Sequence, residues 1–140
     1  MTNQEKIKNA FERNREAVEL KPSVGQSTGK STIRVRDGTT CEIEGSGWNL
    51  TADMGTESGG NNAGPGPGVF ERAALGSCLA MGYVQKAAVM EVSVEKIEVE
   101  VETDFDARGM LGIEERLPGF TAVRYEVYIE STEPEAKVKK

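Results

Sequence analysis

A long apolar segment built mainly from small side chains constrains the fold more than any other part of this sequence. Its centre, residues 72–88, reads RAALGSCLAMGYVQKAA, and the pattern predicts a helix from about Val69 to Met90. Gly76 and Gly82 would each destabilise the interior of such a helix by roughly 1 kcal/mol relative to alanine. We therefore expect another backbone to approach this helix closely, where a larger side chain would not fit.

The small side chains of this helix lie on two adjacent faces: Ala74, Cys78 and Gly82 on one, and Ala73, Ser77 and Ala80 on the next. A helix that is apolar on all sides is usually buried all round. With 140 residues and one other clear helix, at residues 2–20, a single chain has little with which to bury it. The sequence therefore predicts a homodimer with the small-residue helix at the interface.

The N-terminal half predicts one helix and three strands. The helix at residues 2–20 is amphipathic and begins with a capping box formed by Thr2 and Glu5. The segment STIRVRDGTTCEIEG, residues 31–45, predicts a β-hairpin, and WNLTADM at residues 48–54 predicts a third short strand. A three-residue hairpin loop keeps the apolar residues of both strands on one face, whereas a two-residue loop would split them. We therefore predict the three-residue loop, which gives four opposed pairs: Ile33–Ile43, Arg34–Glu42, Val35–Cys41 and Arg36–Thr40.

The remaining segments predict a loop and two further strands. Residues 55–68, GTESGGNNAGPGPG, lack the lysine of a phosphate loop and the spacing of a dinucleotide fingerprint, so we expect a connecting loop and no nucleotide site. Residues 96–105 and 121–131 alternate between apolar and polar side chains, as strands with one packed face do. Nothing desolvates the acidic row of the first strand, which we interpret as a solvated sheet face: Glu98, Glu100 and Glu102. The last ten residues, STEPEAKVKK, predict the start of a short helix capped by Ser131 or Thr132.

Composition excludes several classes of function. The net charge of −6 and the pI near 4.8 argue against nucleic acid or an anionic membrane as a partner. The sequence has no histidine, which excludes Ser-His-Asp and Cys-His catalysis and histidine-containing zinc sites. It opens without an apolar signal segment, so we expect a cytoplasmic protein with free thiols. Thiol chemistry and carboxylate acid/base chemistry remain.

Two motifs resemble the OsmC/Ohr family of osmotically inducible and organic-hydroperoxide-resistance proteins. The segment GPGPGVFERAALGSCLA, residues 64–80, is similar to the family pattern Pro-x-aliphatic-Ala-Ala-Leu-Gly-x-Cys. The tripeptide RDG at residues 36–38 matches the hydroperoxide-resistance branch, with Arg36 placed 42 residues before Cys78. The resemblance runs from about Ser31 to Ser131. It implies an OsmC-like domain at residues 31–140, with its C-terminal helix cut short, and the amphipathic pattern adds an N-terminal helical segment at residues 1–22 before it.

The resemblance also implies a site and a reaction. The fold would be α+β, with antiparallel sheets around a long central buried helix in an intertwined homodimer. Cys78 would attack an organic hydroperoxide as the nucleophile, Arg36 would hold its thiolate, and an external thiol would serve as reductant, with no cofactor and no metal. Gly68 stands where the family has a glutamate, and Glu71, one helical turn further on, is the candidate substitute. An apolar pocket across the dimer would bind the substrate: Phe70, Leu79, Met81 and Tyr83.

Two other interpretations stay open at this point. Cys78 is also consistent with an inert core residue, because free cysteine is among the most buried residue types. A dimeric binding protein that keeps the fold without turnover would equally lack the family's glutamate and its second cysteine. We interpret Cys41, the only other thiol, as a packing residue that does not form a disulfide with Cys78 within one subunit.

Overall fold

The computed structural model describes residues 1–140 and consists of four helices and five strands, besides two short 3₁₀ turns. In chain order these are α1 (Asn3–Leu20), β1 (Ser31–Asp37), β2 (Thr40–Gly45), β3 (Trp48–Ala52), α2 (Pro67–Val89), β4 (Lys96–Phe105), α3 (Ala107–Met110), β5 (Phe120–Glu130) and α4 (Glu135–Val138). Strands β1, β2 and β3 form one antiparallel sheet, and β4 and β5 form another. The predicted α+β class with antiparallel sheets and one long helix is confirmed.

Helix α1 begins as the sequence predicts. The backbone nitrogen of Thr2 donates to Oε2 of Glu5 at 2.6 Å, and the backbone nitrogen of Glu5 donates to Oγ1 of Thr2 at 3.2 Å. These reciprocal bonds are a capping box, which satisfies two of the free amide groups at the start of a helix. The side chain of Gln4 then donates to the carbonyl of Val92 at 3.0 Å, so this end of α1 is tied to the segment that follows α2.

The hairpin of β1 and β2 confirms most of the predicted register and corrects one pair. Three of the predicted pairs are present: Ile33–Ile43, Arg34–Glu42 and Val35–Cys41. Thr40, however, pairs with Asp37 instead of Arg36, because the register shifts between Val35 and Asp37. Gly38 has a φ of +56°, which allows a tighter turn than we predicted. A β-bulge at Arg36 absorbs the extra residue and keeps the apolar side chains on one face.

The sheet of β4 and β5 presents its acidic row to solvent, as predicted. Glu98, Glu100 and Glu102 are exposed, while the alternate residues from Ile97 to Thr103 are half-buried. On β5 the alternation predicts four inward side chains, and they differ in exposure. Val127 and Ile129 are half-buried, but Val123 and Tyr125 are each 51% exposed. Within one chain, therefore, only part of the apolar face of this sheet is covered.

Helix α2 forms where we predicted, but a single chain does not bury it. Of its 23 residues only Ala88 is buried. A Cβ atom at Gly76 would lie 3.2 Å from Cγ2 of Val101, so this glycine admits a side chain of the neighbouring strand and not, as we expected, another backbone. A Cβ at Gly82 would meet nothing within 4 Å. Burial of α2 by a second copy of the chain stays a prediction.

The apolar core of one chain is small. Its buried apolar residues are Ala52, Ala88 and Val92, and no side chain falls below 2% exposure. The C-terminal helix α4 has Pro134 as its N-cap residue instead of Ser131 or Thr132. The hydroxyl of Ser131 is used elsewhere, since it donates to the carbonyl of Ser93 and accepts from the backbone nitrogen of Glu133.

The chain divides into two compact units. The first unit consists of residues 1–13 and 72–140, and the second unit of residues 14–71. The predicted division into residues 1–22 and 31–140 stays a prediction. None of the helices is both long enough and apolar enough to span a membrane.

Candidate functional site

Cys78 lies midway along α2, in the first unit, and its thiol is accessible. It is a free cysteine and is exposed in the chain. Ala74 and Gly82, one turn before and one turn after it, are also exposed. The neighbours four residues away on this face are small, whereas Leu75 and Met81, three residues before and after Cys78, are large. The interpretation of Cys78 as an inert core residue stays open, because the predicted homodimer would cover this helix.

Cys41 has a different environment on β2. It is half-buried, and its Sγ donates to the carbonyl of Thr39 at 3.5 Å. Its backbone lies between Val35 on β1 and Ala52 on β3, and Ala52 is buried. This placement fits the predicted packing role.

Arg36 is held by a carboxylate of the adjacent strand. Its Nε donates to Oε2 of Glu42 at 2.8 Å, and both side chains are more than half exposed. An equivalent ion pair joins Arg34 to Glu44, also at 2.8 Å, on the same polar face of the sheet. A bulged residue lies outside the ladder of backbone hydrogen bonds, so the turn that follows it and this ion pair together determine where Arg36 lies.

The remaining candidate residue of the site is Glu71. Glu71 is exposed in the second turn of α2. It belongs, like Arg36, to the second unit, whereas Cys78 belongs to the first unit. The roles of Arg36 and Glu71 beside Cys78 therefore stay predictions.

An apolar groove in the first unit includes one residue of the predicted substrate pocket. The groove has a volume of about 350 Å³ and is lined by Tyr83, among other residues of α2, β4, β5 and α4. Phe70, Leu79 and Met81, which we predicted beside it, do not line this groove. The predicted pocket, which would lie across the dimer, stays a prediction.

Sequence reasoning missed Asp53, the most extensively hydrogen-bonded carboxylate of the second unit. It is only 3% exposed. Its carboxylate accepts five hydrogen bonds, from Oγ1 of Thr39 (2.7 Å), Oγ1 of Thr40 (2.8 Å) and the backbone nitrogens of Met54 (2.8 Å), Ala63 (3.1 Å) and Asn61 (3.2 Å). The bond from Thr39, followed by that from Thr40, holds the pKa of Asp53 far below its ordinary value, although burial acts in the opposite direction. A carboxylate directly after a strand and before a glycine-rich loop is the sequence signal that would have found it.

A cluster of ion pairs holds the connection between β4 and β5, residues 106–119. Asp106 accepts hydrogen bonds from the backbone and the guanidinium of Arg108, and Arg116 pairs with both Asp106 and Glu114. The hydrogen bond from Arg108 holds the pKa of Asp106 well below its usual range. The same connection exposes four large apolar side chains: Met110, Leu111, Ile113 and Leu117.

The arrangement of two antiparallel sheets and one long helix recurs in solved structures. The chain is similar to the OsmC like protein from Mycoplasma pneumoniae, with a TM-score of 0.67 and 15% identity over 81% of this chain and 77% of that one. It is also similar to an organic hydroperoxide resistance protein OsmC from Legionella pneumophila, with a TM-score of 0.55 and 21% identity over 81% of each chain. These likenesses define the fold.

The family follows from the sequence. Residues 59–140 match the OsmC-like protein family, and this segment is more than half of the chain. The protein therefore belongs to the OsmC-like family. The matched segment includes α2 with Cys78 and does not include β1 with Arg36. No curated protein matches the sequence.

Proposed function

We propose that this protein is a thiol-dependent peroxidase that reduces organic hydroperoxides through Cys78 in defence against oxidative stress. The observation that carries the proposal is a free, exposed thiol midway along α2, within the segment that matches the OsmC-like family. The Legionella relative, an organic hydroperoxide resistance protein, supports the substrate class. The cytoplasm is the proposed compartment, because the cycle needs reduced thiols.

The proposed reaction needs one reactive thiol in the protein and two thiols from outside. The thiolate of Cys78 attacks a peroxide oxygen, the O–O bond breaks, and the departing alkoxide takes up a proton and leaves as alcohol. Cys78 is then a sulfenic acid. A first external thiol condenses with it to a mixed disulfide and releases water, and a second external thiol restores Cys78 while the reductant leaves as a disulfide.

A cation beside the sulfur would favour this reaction. A free thiol is only a few per cent ionised at neutral pH, and a nearby permanent positive charge raises the thiolate fraction. Arg36 is the proposed cation, on the strength of its RDG motif and its spacing from Cys78. Glu71 remains the proposed carboxylate partner from α2, besides the Glu42 carboxylate that contacts Arg36.

The proposed active form is a homodimer with α2 at the interface. In a single chain α2 leaves several large apolar side chains accessible: Val69, Leu75, Met81, Tyr83 and Val84. Soluble monomers rarely expose large contiguous apolar surfaces. With only three buried apolar residues, a chain of this length gains little stability from its own core. A second copy that covers α2 would supply the missing burial.

A second candidate function is a dimeric binding protein without turnover. The observation that favours it is Gly68, which occupies the position of the family's glutamate. Under this alternative the fold and the α2 interface persist, but Cys78 reacts with hydroperoxides no faster than an ordinary thiol.

Turnover separates these two functions. The purified protein is incubated with cumene hydroperoxide and dithiothreitol, and cumyl alcohol is measured over time, with Cys78→Ser and Cys41→Ser as matched variants. We expect activity in the wild type and in Cys41→Ser, and only background in Cys78→Ser. Equal background activity in all three proteins would favour the binding protein. Loss of activity in Cys41→Ser alone would assign the chemistry to Cys41 instead of Cys78.

A further inference from the structure

Asp53 connects two segments of the second unit that are distant in sequence. Through Thr39 and Thr40 its carboxylate holds the turn between β1 and β2, at 2.7 and 2.8 Å. Through the backbone nitrogens of Asn61 and Ala63, at 3.2 and 3.1 Å, the same carboxylate holds the glycine-rich loop. One buried side chain thus fixes the turn and the loop against each other.

Asn61 closes the same connection from the other side. Its Nδ2 donates to Oγ1 of Thr40 at 3.0 Å and to the carbonyl of Asp37 at 3.3 Å. A Cβ added at Gly38 would lie 3.5 Å from this nitrogen atom, so the Asn61 side chain lies directly beside the turn. Residues 37–40 are therefore held by side chains from both Asp53 and Asn61.

Only an ionised carboxylate satisfies this set of donors. All five groups that face Asp53 are donors in these bonds, two on Oδ1 and three on Oδ2, and both oxygens of a carboxylate accept without donating. An asparagine would place its own NH₂ group against hydroxyl and amide donors, which leaves buried donors unpaired. The chemistry of the network therefore specifies aspartate at this position.

Arg36 lies immediately before the turn that this network holds. It is the bulged residue of β1, between the paired residues Val35 and Asp37. Because a bulged residue lacks its own partner across the ladder, its backbone follows the next paired residue. That residue, Asp37, pairs with Thr40, which Asp53 and Asn61 both contact.

We propose that Asp53 is the positioning residue for Arg36, because it fixes the turn at residues 37–40 on which the location of the Arg36 guanidinium depends. This inference rests on the proposed function, in which Arg36 raises the reactivity of Cys78. Asp53 takes no part in the reaction itself and acts only through Arg36. The aspartate at the end of β3 thereby becomes part of the machinery that sets thiol reactivity.

The test compares Asp53→Asn with Glu57→Gln, the same carboxylate-to-amide change in an exposed side chain of the glycine-rich loop outside this network. Both are made in a Cys41→Ser background, so that iodoacetamide reports on Cys78 alone. The rate of alkylation at pH 7 is divided by the rate at pH 9.5, which isolates the ionised fraction from accessibility. We expect this ratio to fall roughly tenfold in Asp53→Asn, as in Arg36→Ala, and to be unchanged in Glu57→Gln.

A double-mutant cycle shows whether Asp53 acts through Arg36. We expect Asp53→Asn to have no further effect on the ratio once Arg36→Ala is present. An equal fall in both backgrounds would overturn the inference, as would an unchanged ratio in Asp53→Asn when Arg36→Ala lowers it. If Arg36→Ala itself leaves the ratio unchanged, the proposed role of Arg36 fails, and the inference fails with it.

A milder variant covers the case in which Asp53→Asn does not fold. Thr39→Val removes a single hydroxyl donor to Asp53 and nearly preserves the shape of the side chain. We expect faster amide exchange at residues 38–40 and 61–63, together with a smaller fall in the same alkylation ratio. Faster exchange with an unchanged ratio would overturn the inference.

Discussion

At the scale of single residues, the two cysteines have different environments although both are free thiols. Cys78 is exposed on a helix face of small side chains, whereas Cys41 is half-buried and bonded to the carbonyl of Thr39. Oxidation of a thiol depends on its accessibility and on its ionisation. The two cysteines differ in accessibility. We therefore expect chemistry at Cys78 and packing at Cys41.

This difference predicts how oxidised Cys78 is resolved. After one equivalent of cumene hydroperoxide we expect a sulfenic acid at Cys78 that dimedone traps, or a mixed disulfide when a small thiol is added. Mass spectrometry of the digested protein measures both products. An intramolecular disulfide between Cys41 and Cys78 would contradict the packing role of Cys41.

The two ion pairs of the β1–β2 hairpin provide a matched test at one residue. Glu42→Gln removes the carboxylate that contacts Arg36, and Glu44→Gln makes the same change beside Arg34. Exposed ion pairs contribute about 0–1 kcal/mol, so neither variant should change the free energy of unfolding by more. We expect Glu42→Gln to alter the alkylation rate of Cys78 at pH 7 and Glu44→Gln to leave it unchanged. Equal rates in both variants would show that orientation of Arg36 by Glu42 is irrelevant.

At the scale of elements, the sequence was informative where contacts are local. The capping box links Thr2 and Glu5, and the opposed pairs of the hairpin follow from alternation along two adjacent strands. The bulge at Arg36 and the network of Asp53 were not predictable in this way. Asp53 contacts Thr39, 14 residues earlier, and Ala63, 10 residues later, and no periodic pattern reports such pairings.

The network of Asp53 predicts an acid-sensitive turn and loop. Its pKa lies below the unfolded value of about 3.9. The stabilising contribution is therefore complete above about pH 4 and is lost as the pH falls through the folded pKa. We expect Asp53→Asn to lower the thermal midpoint at pH 7 by roughly 5–10 °C, and the gap to the wild type to narrow below about pH 4. A gap that stays constant down to pH 2 would contradict the assigned ionisation, and Glu57→Gln, in the exposed part of the glycine-rich loop, serves as the control.

At the scale of the whole molecule, the sequence predicted a buried α2 and a single chain leaves it accessible. The spacing of small residues along α2 predicts that the helix is buried, but within one chain only Ala88 is buried. Periodicity records which positions favour burial, but it does not say whether the covering surface belongs to the same chain. The proposed homodimer reconciles the apolar character of α2 with its exposure in one chain.

The dimer proposal predicts stability that depends on protein concentration. A folded dimer that unfolds to monomers has a thermal midpoint that falls on dilution. We expect Met81→Glu, on the 60% exposed Met81 of α2, to weaken self-association by roughly 100-fold or more, because it buries an unpaired charge. Light scattering at micromolar concentration measures the mass, and Leu20→Glu, at the 87% exposed end of α1, is the control. A monomeric wild type would contradict the proposal.

The rate at which hydroperoxide oxidises Cys78 decides whether this protein is a thiol peroxidase. In stopped-flow experiments on the Cys41→Ser protein, the loss of the remaining thiol is followed with excess cumene hydroperoxide and, separately, with hydrogen peroxide. We expect Cys78 to react with cumene hydroperoxide at least about 100-fold faster than a free small-molecule thiol, and faster than it reacts with hydrogen peroxide. A rate with cumene hydroperoxide no greater than that of the free thiol would contradict the account.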